Sequence, residues 1–168
     1  MLFRSPLKLV TLEVLSGVGA RPVKVQVFAT REEYVTATQV PPDFGAVTQD
    51  GVIRMQPLPM LDRHQGLRRL LEHEAVHHHF YRVGQRWPRY FHEALAHYLS
   101  GGRIVKSARA AELGGRPRTG AEEEEFEAHL AWMLAKMIRP VGERVFLHRL
   151  VRGEIDLGAF RRTRRRAA

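Results

Sequence analysis

The chain has 168 residues, 44% hydrophobic and 27% charged, a balance that fits one globular domain able to bury a core without covalent staples. It contains no cysteine, which excludes disulfides, a thiolate metal site and a cysteine nucleophile. Of the net charge of +9, Arg161, Arg162, Arg164, Arg165 and Arg166 supply five, leaving 9 − 5 = +4 for the rest, too diffuse to mark the body of the chain as a nucleic-acid surface.

In chain order, Ser5-Pro6 pairs a capping residue with a proline suited to the first helical turn, and Leu7, Val10, Val14 and Leu15 share a face. A helix is expected to about Ser16, closed by Gly17. Arg4, Lys8 and Glu13 break its apolar residues, so Met1 to Ala20 lacks the continuous apolar run of a signal peptide, and no stretch is long enough to span a bilayer. A cytoplasmic location without a membrane span is expected. Val23, Val25 and Val27 alternate with Lys24 and Gln26, the period of a strand. Thr30-Arg31-Glu32-Glu33 is a capping box opening a helix that Pro41-Pro42 stops. Ala46 to Met55 reads as a hairpin about Asp50-Gly51, a pair suited to the positive φ angles of a type I′ turn.

A long helix is expected from Leu61-Asp62, and it carries His73-Glu74-Ala75-Val76-His77. Histidines four apart lie about 40° from each other around a helix axis, one turn apart on one face. Two imidazoles so placed suit a single Zn²⁺ at roughly 2.0–2.1 Å. Glu74 directly follows the first of them, where a carboxylate reaches a water at the metal and takes its proton. His78 and His79 point a third of a turn or more away from this pair, toward packing or solvent. His64 and His148 carry no recognisable spacing.

Catalytic zinc takes three protein ligands, and Glu93 is the best third candidate. It sits in a second helix that begins near Pro88 and is stopped by Gly101-Gly102. The fifteen residues between His77 and Glu93 include Gly84 and Pro88, enough to turn and return antiparallel. His92, about 100° from Glu93, is not expected to be a ligand. The plain alternatives remain a solvated helix face for His73, Glu74 and His77, and an ordinary surface carboxylate for Glu93. Residues 101–120, rich in Gly, Arg and Ala, read as an exposed loop. A helix over 122–138 follows, with Glu122 to Glu125 favouring its positive end, and a shorter one covers about 142–151. One domain over 1–158 and a basic, disordered tail over 159–168 are expected.

The run from Leu70 to Gly101 resembles the gluzincin metallopeptidases, specifically the small peptidase MA-like domains, in which HExxH is followed by a turn and then P-x-W/Y-F/L-x-E-G-L-A-x-Y. The chain matches with HEAVH and then Pro88, Tyr90, Phe91, Glu93, Ala94, Leu95, Ala96 and Tyr98. The resemblance implies His73, His77 and Glu93 as zinc ligands and Glu74 as general base. Two positions depart from the pattern. Ala94 replaces a glycine, and His97 stands where relatives often hold an acidic residue that orients a ligand histidine. Relatives also use a tyrosine or histidine from the C-terminal helices to stabilise the oxyanion. In a weaker alignment that tyrosine's position holds Glu127, with His129 as a weak substitute.

Together these readings give an α+β, zincin-like fold, with a small N-terminal sheet, active-site helices and a helical C-terminal part. The function expected is zinc-dependent hydrolysis of a peptide or protein substrate. Strand Val52-Ile53-Arg54-Met55 is expected to offer a free edge to an extended peptide, unless both its edges are paired within the sheet. Two other classes stay open: a catalytically weak zinc-binding module that docks a partner, and a nucleic-acid-associated protein acting through its arginine-rich tail. No zinc-finger, stacking or recognition-helix pattern accompanies that tail, so no specific nucleic-acid partner is expected.

Overall fold

The computed structural model describes residues 23–61, 66–83, 87–113 and 119–162. Among these a small sheet precedes a run of helices, so the fold is α+β. The helix expected over 5–16, the helix start at Asp62 and the tail beyond 162 lie outside the described residues.

Strand β1 (Lys24–Val27) leads through Phe28 and Ala29 to helix α1 (Arg31–Thr38). The expected capping box is formed: Thr30 Oγ1 accepts from the Glu33 N–H at 3.1 Å, and the Glu33 carboxylate accepts from the Thr30 N–H at 3.3 Å. Strands β2 (Ala46–Gln49) and β3 (Val52–Met55) make the expected hairpin, with φ of 52° at Asp50 and 71° at Gly51. Both turn residues are left-handed, as a type I′ turn requires.

The sheet order is β1-β3-β2, with β1 parallel to β3 and β2 antiparallel to it. Strand β3 is therefore central, and the expectation that its edge is free for a peptide is corrected. Local patterning defines a hairpin but not the side on which a third strand adds, and here β1 takes the far edge of β3. Among the described residues the strand edge left unpaired beside the site helix is that of β2.

Short helix α2 (Leu58–Leu61) contains Leu61, the residue at which the long site helix was expected to begin, and that helix, α3 (Leu67–Val83), is described from Leu67. Helix α4 (Arg89–Leu99) returns beside it. Gly101 at φ 75° ends α4, with Gly101 N–H donating to Tyr98 O at 3.3 Å and Gly102 N–H donating to His97 O at 2.9 Å. This is the paired bond pattern of a glycine-terminated helix. Residues 101–120 are not wholly loop, because α5 (Ala108–Leu113) forms there. Ser107 caps it by accepting from the Ala110 N–H at 3.0 Å, and Ala110 is fully buried. Helix α6 (Gly120–Ile138) is capped by Thr119, and α7 (Glu143–Val151) follows.

The core runs from Ile53 and Met55 on the sheet through Val76 and Phe80 of α3 and Phe91 and Leu95 of α4 to Leu130 and Leu134 of α6. Ala94, at the departure from glycine, is completely buried between helices. The last described helix, α8 (Gly158–Arg162), starts at the boundary expected for the tail. Its Phe160 is 1% exposed and meets Phe91 edge-on, ring centroids 5.2 Å apart. No helix among the described residues is long and apolar enough to cross a membrane.

Phe160 makes the boundary at 158 testable. Phe160→Ala leaves a cavity against Phe91 and is expected to lower stability by about 3–5 kcal/mol, read as a large drop in the denaturation midpoint. Removing residues 163–168 is expected to leave that midpoint within experimental scatter.

Candidate metal centre

Helix α3 places His73 and His77 one turn apart, and α4 brings Glu93 to them. The Nε2 atoms of the two histidines are 3.0 Å apart. Glu93 Oε2 lies 3.2 Å from His77 Nε2 and 3.6 Å from His73 Nε2. Four ligands held tetrahedrally at roughly 2.0–2.1 Å from Zn²⁺ sit roughly 3.3–3.4 Å from one another. The three donor atoms are spaced close to that, so they could hold such an ion. Two imidazoles, once deprotonated, and one carboxylate are a donor set that would suit zinc, which in catalytic sites takes three protein ligands and a water.

The electrostatics of the triangle favour positive charge on its imidazoles. Burial disfavours a charged His73, yet the carboxylates of Glu127, Glu93 and Glu74 outweigh it and push the ring up to about 9. His77 is raised too, with Glu93 overcoming burial. Burial would raise Glu93, but His77 and His73 hold its carboxyl well below the usual carboxylate range.

Glu74 lies on the same wall as the histidines. It is nearly buried, and the Thr48 hydroxyl of β2 donates to its Oε2 at 2.7 Å. The cleft over the triangle has a volume of ≈ 430 Å³. Residues Ala46, Val47 and Thr48 of β2 line one side, and Glu123, Glu124 and Glu127 of α6 line another. Glu123 is pushed up to about 8 by burial and by the nearby Glu127 and Glu93. No spacing in the sequence flags Thr48 or Glu123, because each meets the site helix only through tertiary packing.

His97 is not part of the triangle: it bonds toward α6, although a ring nitrogen lies within 4.8 Å of one of His73. Its Nδ1 meets Glu127 Oε2 at 3.1 Å and its Nε2 meets the Arg103 carbonyl at 2.9 Å. His78, His79, His92 and His129 serve packing instead. His129 is buried outside the cleft, where its Nδ1 accepts from the Ser107 N–H at 3.1 Å and its ring stacks on Trp132. The placement of His129 gives no support to the weak expectation that it stabilises an oxyanion: the α6 side chains lining the cleft are those of Glu123, Glu124 and Glu127. His92 packs among Phe80 and Trp87, with burial and then His77 lowering it to about 4. His78 and His79 are buried on other faces of α3, and both are lowered chiefly by burial.

No protein-family model, curated protein or solved structure matches this chain. The likeness to gluzincins therefore rests on the residues of α3 and α4 themselves.

A proton and a metal compete for His73. With its pKa raised to about 9, the ring is protonated at neutral pH in the metal-free protein, and a metal must displace that proton. Apparent zinc affinity is expected to climb by up to roughly tenfold per pH unit from pH 6 toward 9, then level off. Competition against a chromophoric chelator across that range measures the slope, and a flat profile contradicts the assignment.

Proposed function

We propose that this protein is a zinc-dependent peptide hydrolase of gluzincin type with a zincin-like fold. One observation carries the reading: His73, His77 and Glu93 present a donor triangle with sides of 3.0, 3.2 and 3.6 Å, and the adjacent Glu74 faces the same cleft. Zn²⁺, when held by those three residues, supplies a Lewis acid for the scissile carbonyl and makes water a nucleophile near neutral pH.

The chain's own residues do the rest. Glu74 accepts a proton from the attacking water and returns it to the leaving amine. The Thr48 hydroxyl, 2.7 Å from its carboxylate, keeps that group turned into the cleft. An extended substrate pairs with β2. The Gln56 N–H donates to Gly45 O at 3.0 Å, so the alternation of an antiparallel ladder makes Val47–Arg54 and Gln49–Val52 the bonded pairs. The backbone groups of Ala46 and Thr48 then point away from β3, toward the cleft side, where a peptide backbone takes them up.

A second reading is favoured by one feature of the cleft. Among the described residues no tyrosine lines it, so the oxyanion donor of the gluzincin pattern has no counterpart there, and only Arg89 and Gln39 offer long donor side chains. A zinc-binding module without turnover fits that feature, and the measurements below separate the two.

His73→Ala, His77→Ala and Glu93→Ala are each expected to lose the zinc that the parent chain holds at one ion per molecule. Glu74→Gln is expected to keep zinc and lose peptide cleavage by at least ~10²-fold, since an amide accepts no proton. Full zinc occupancy in the parent without cleavage across a broad peptide library establishes the non-catalytic module instead.

The β2 edge has its own test. Ala46→Pro deletes one outward N–H and no bond to β3, so it is expected to raise KM for peptides several-fold while zinc affinity is unchanged. An unaltered KM removes β2 from substrate binding.

A further inference from the structure

We propose that Glu127, clamped by His97, is a positioning residue for the metal centre: it steadies the His73 ring and supplies negative charge that balances the bound cation. This inference rests on the zinc reading above.

The chain goes to some length to fix His97. It lies one turn beyond Glu93 on α4 and is 1% exposed. Both ring nitrogens are engaged with oxygens, Nε2 with Arg103 O at 2.9 Å and Nδ1 with Glu127 Oε2 at 3.1 Å. The glycine turn that ends α4 makes this possible, because a Cβ on Gly102 would collide with the His97 ring. One buried imidazole is thus held by the helix end, by the Arg103 carbonyl and by a carboxylate thirty residues away on α6.

On its other side that carboxylate faces the cleft. A carboxylate oxygen of Glu127, a ring nitrogen of His97 and a ring nitrogen of His73 all lie within 4.8 Å of one another. At that separation, longer than a direct hydrogen bond, the carboxylate acts on the His73 ring through its charge, and one water is enough to bridge the two groups. A carboxylate next to a metal-binding imidazole fixes the ring's orientation and raises its basicity. His73, His97 and Glu127 do not form a second metal site, because both nitrogens of His97 are already engaged and His73 belongs to the triangle with His77 and Glu93.

The test compares zinc affinity, by chelator competition, in the parent, Glu127→Gln, His97→Gln and the double variant, alongside the thermal midpoint of each zinc-free protein. Glu127→Gln keeps the size and an acceptor oxygen while removing the charge. It is expected to weaken zinc 10–100-fold, to leave the zinc-free midpoint close to the parent's, and to alter the visible spectrum of the cobalt(II)-substituted protein. His97→Gln is expected to weaken zinc by less. The double variant should match Glu127→Gln alone, because His97 acts through Glu127.

Zinc affinity in Glu127→Gln within twofold of the parent overturns the proposal. So does a loss of affinity that merely tracks a lowered midpoint, with the two substitutions adding independently. If His73→Ala abolishes zinc while Glu127→Gln does not weaken it, only this inference fails. If the parent chain takes up no zinc, the metal reading fails and this inference with it.

Discussion

Everything at the site depends on the burial of α4 on nearly every side. Phe91, Ala94, Leu95, Ala96 and Leu99 are all at most 4% exposed, so the helix is wedged among α3, α6 and α8. Of its two inward polar residues, His97 is 1% exposed and Glu93 opens only to the cleft, so both lean on neighbouring helices for partners. Glu93 meets the histidines of α3 and His97 meets Glu127 of α6. The small side chains at Ala94 and Ala96 let the helices approach closely enough for those contacts. Apolar packing thus gathers groups that repel or desolvate one another, an arrangement that burial alone disfavours and a bound cation relieves.

The sign of the cleft is opposite to that of the chain. A net charge of +9 invites a search for phosphate-rich partners, yet the described walls around the triangle carry Asp43, Glu74, Glu93, Glu123, Glu124 and Glu127 against Arg89. Crowding is severe enough to push Glu123 up to about 8, chiefly through burial and through the charges of Glu127 and Glu93. A nucleic-acid backbone is repelled from such a cleft, whereas a metal ion or a basic peptide is attracted. Total charge describes the surface of this protein and its arginine-rich end; the chemistry of the cleft follows from a few carboxylates on α3, α4 and α6.

Features encoded in short stretches were legible in the sequence. The capping box at Thr30–Glu33, the Asp50-Gly51 turn, the glycine stop after α4 and the His73–His77 spacing each depend on residues within one or two turns. Glu93 was legible because a helix of the right length returns after a glycine- and proline-containing turn. What was not legible joins distant parts of the chain. The insertion of β1 beside β3 is a choice between two edges, and the hairpin pattern carries no information about it. The His97–Glu127 pair spans thirty residues, so Glu127 stood out only as a mismatch to a tyrosine. Phe160 is a lone aromatic before a run of arginines, and only its seat against Phe91 reveals it as core. Ser107 was a readable cap for α5, but the surrounding Gly, Arg and Ala pointed to a loop.

Strand β2 ties the two halves of the proposed chemistry together. The Thr48 hydroxyl reaches the Glu74 carboxylate on α3, while the ladder turns the backbone N–H of the same residue away from β3. One residue therefore supports the proton acceptor with its side chain and offers the sheet edge with its main chain. Any peptide that adds to that edge is placed by the same strand that orients Glu74, so the distance between a bound backbone and the base is set by a single residue. A rigid hairpin closed by a two-residue turn is well suited to hold that distance, because its register cannot slip without reversing which face each side chain occupies. Under the hydrolytic reading, this explains why a tight turn at Asp50-Gly51, remote from the metal triangle, belongs to the working parts of the site.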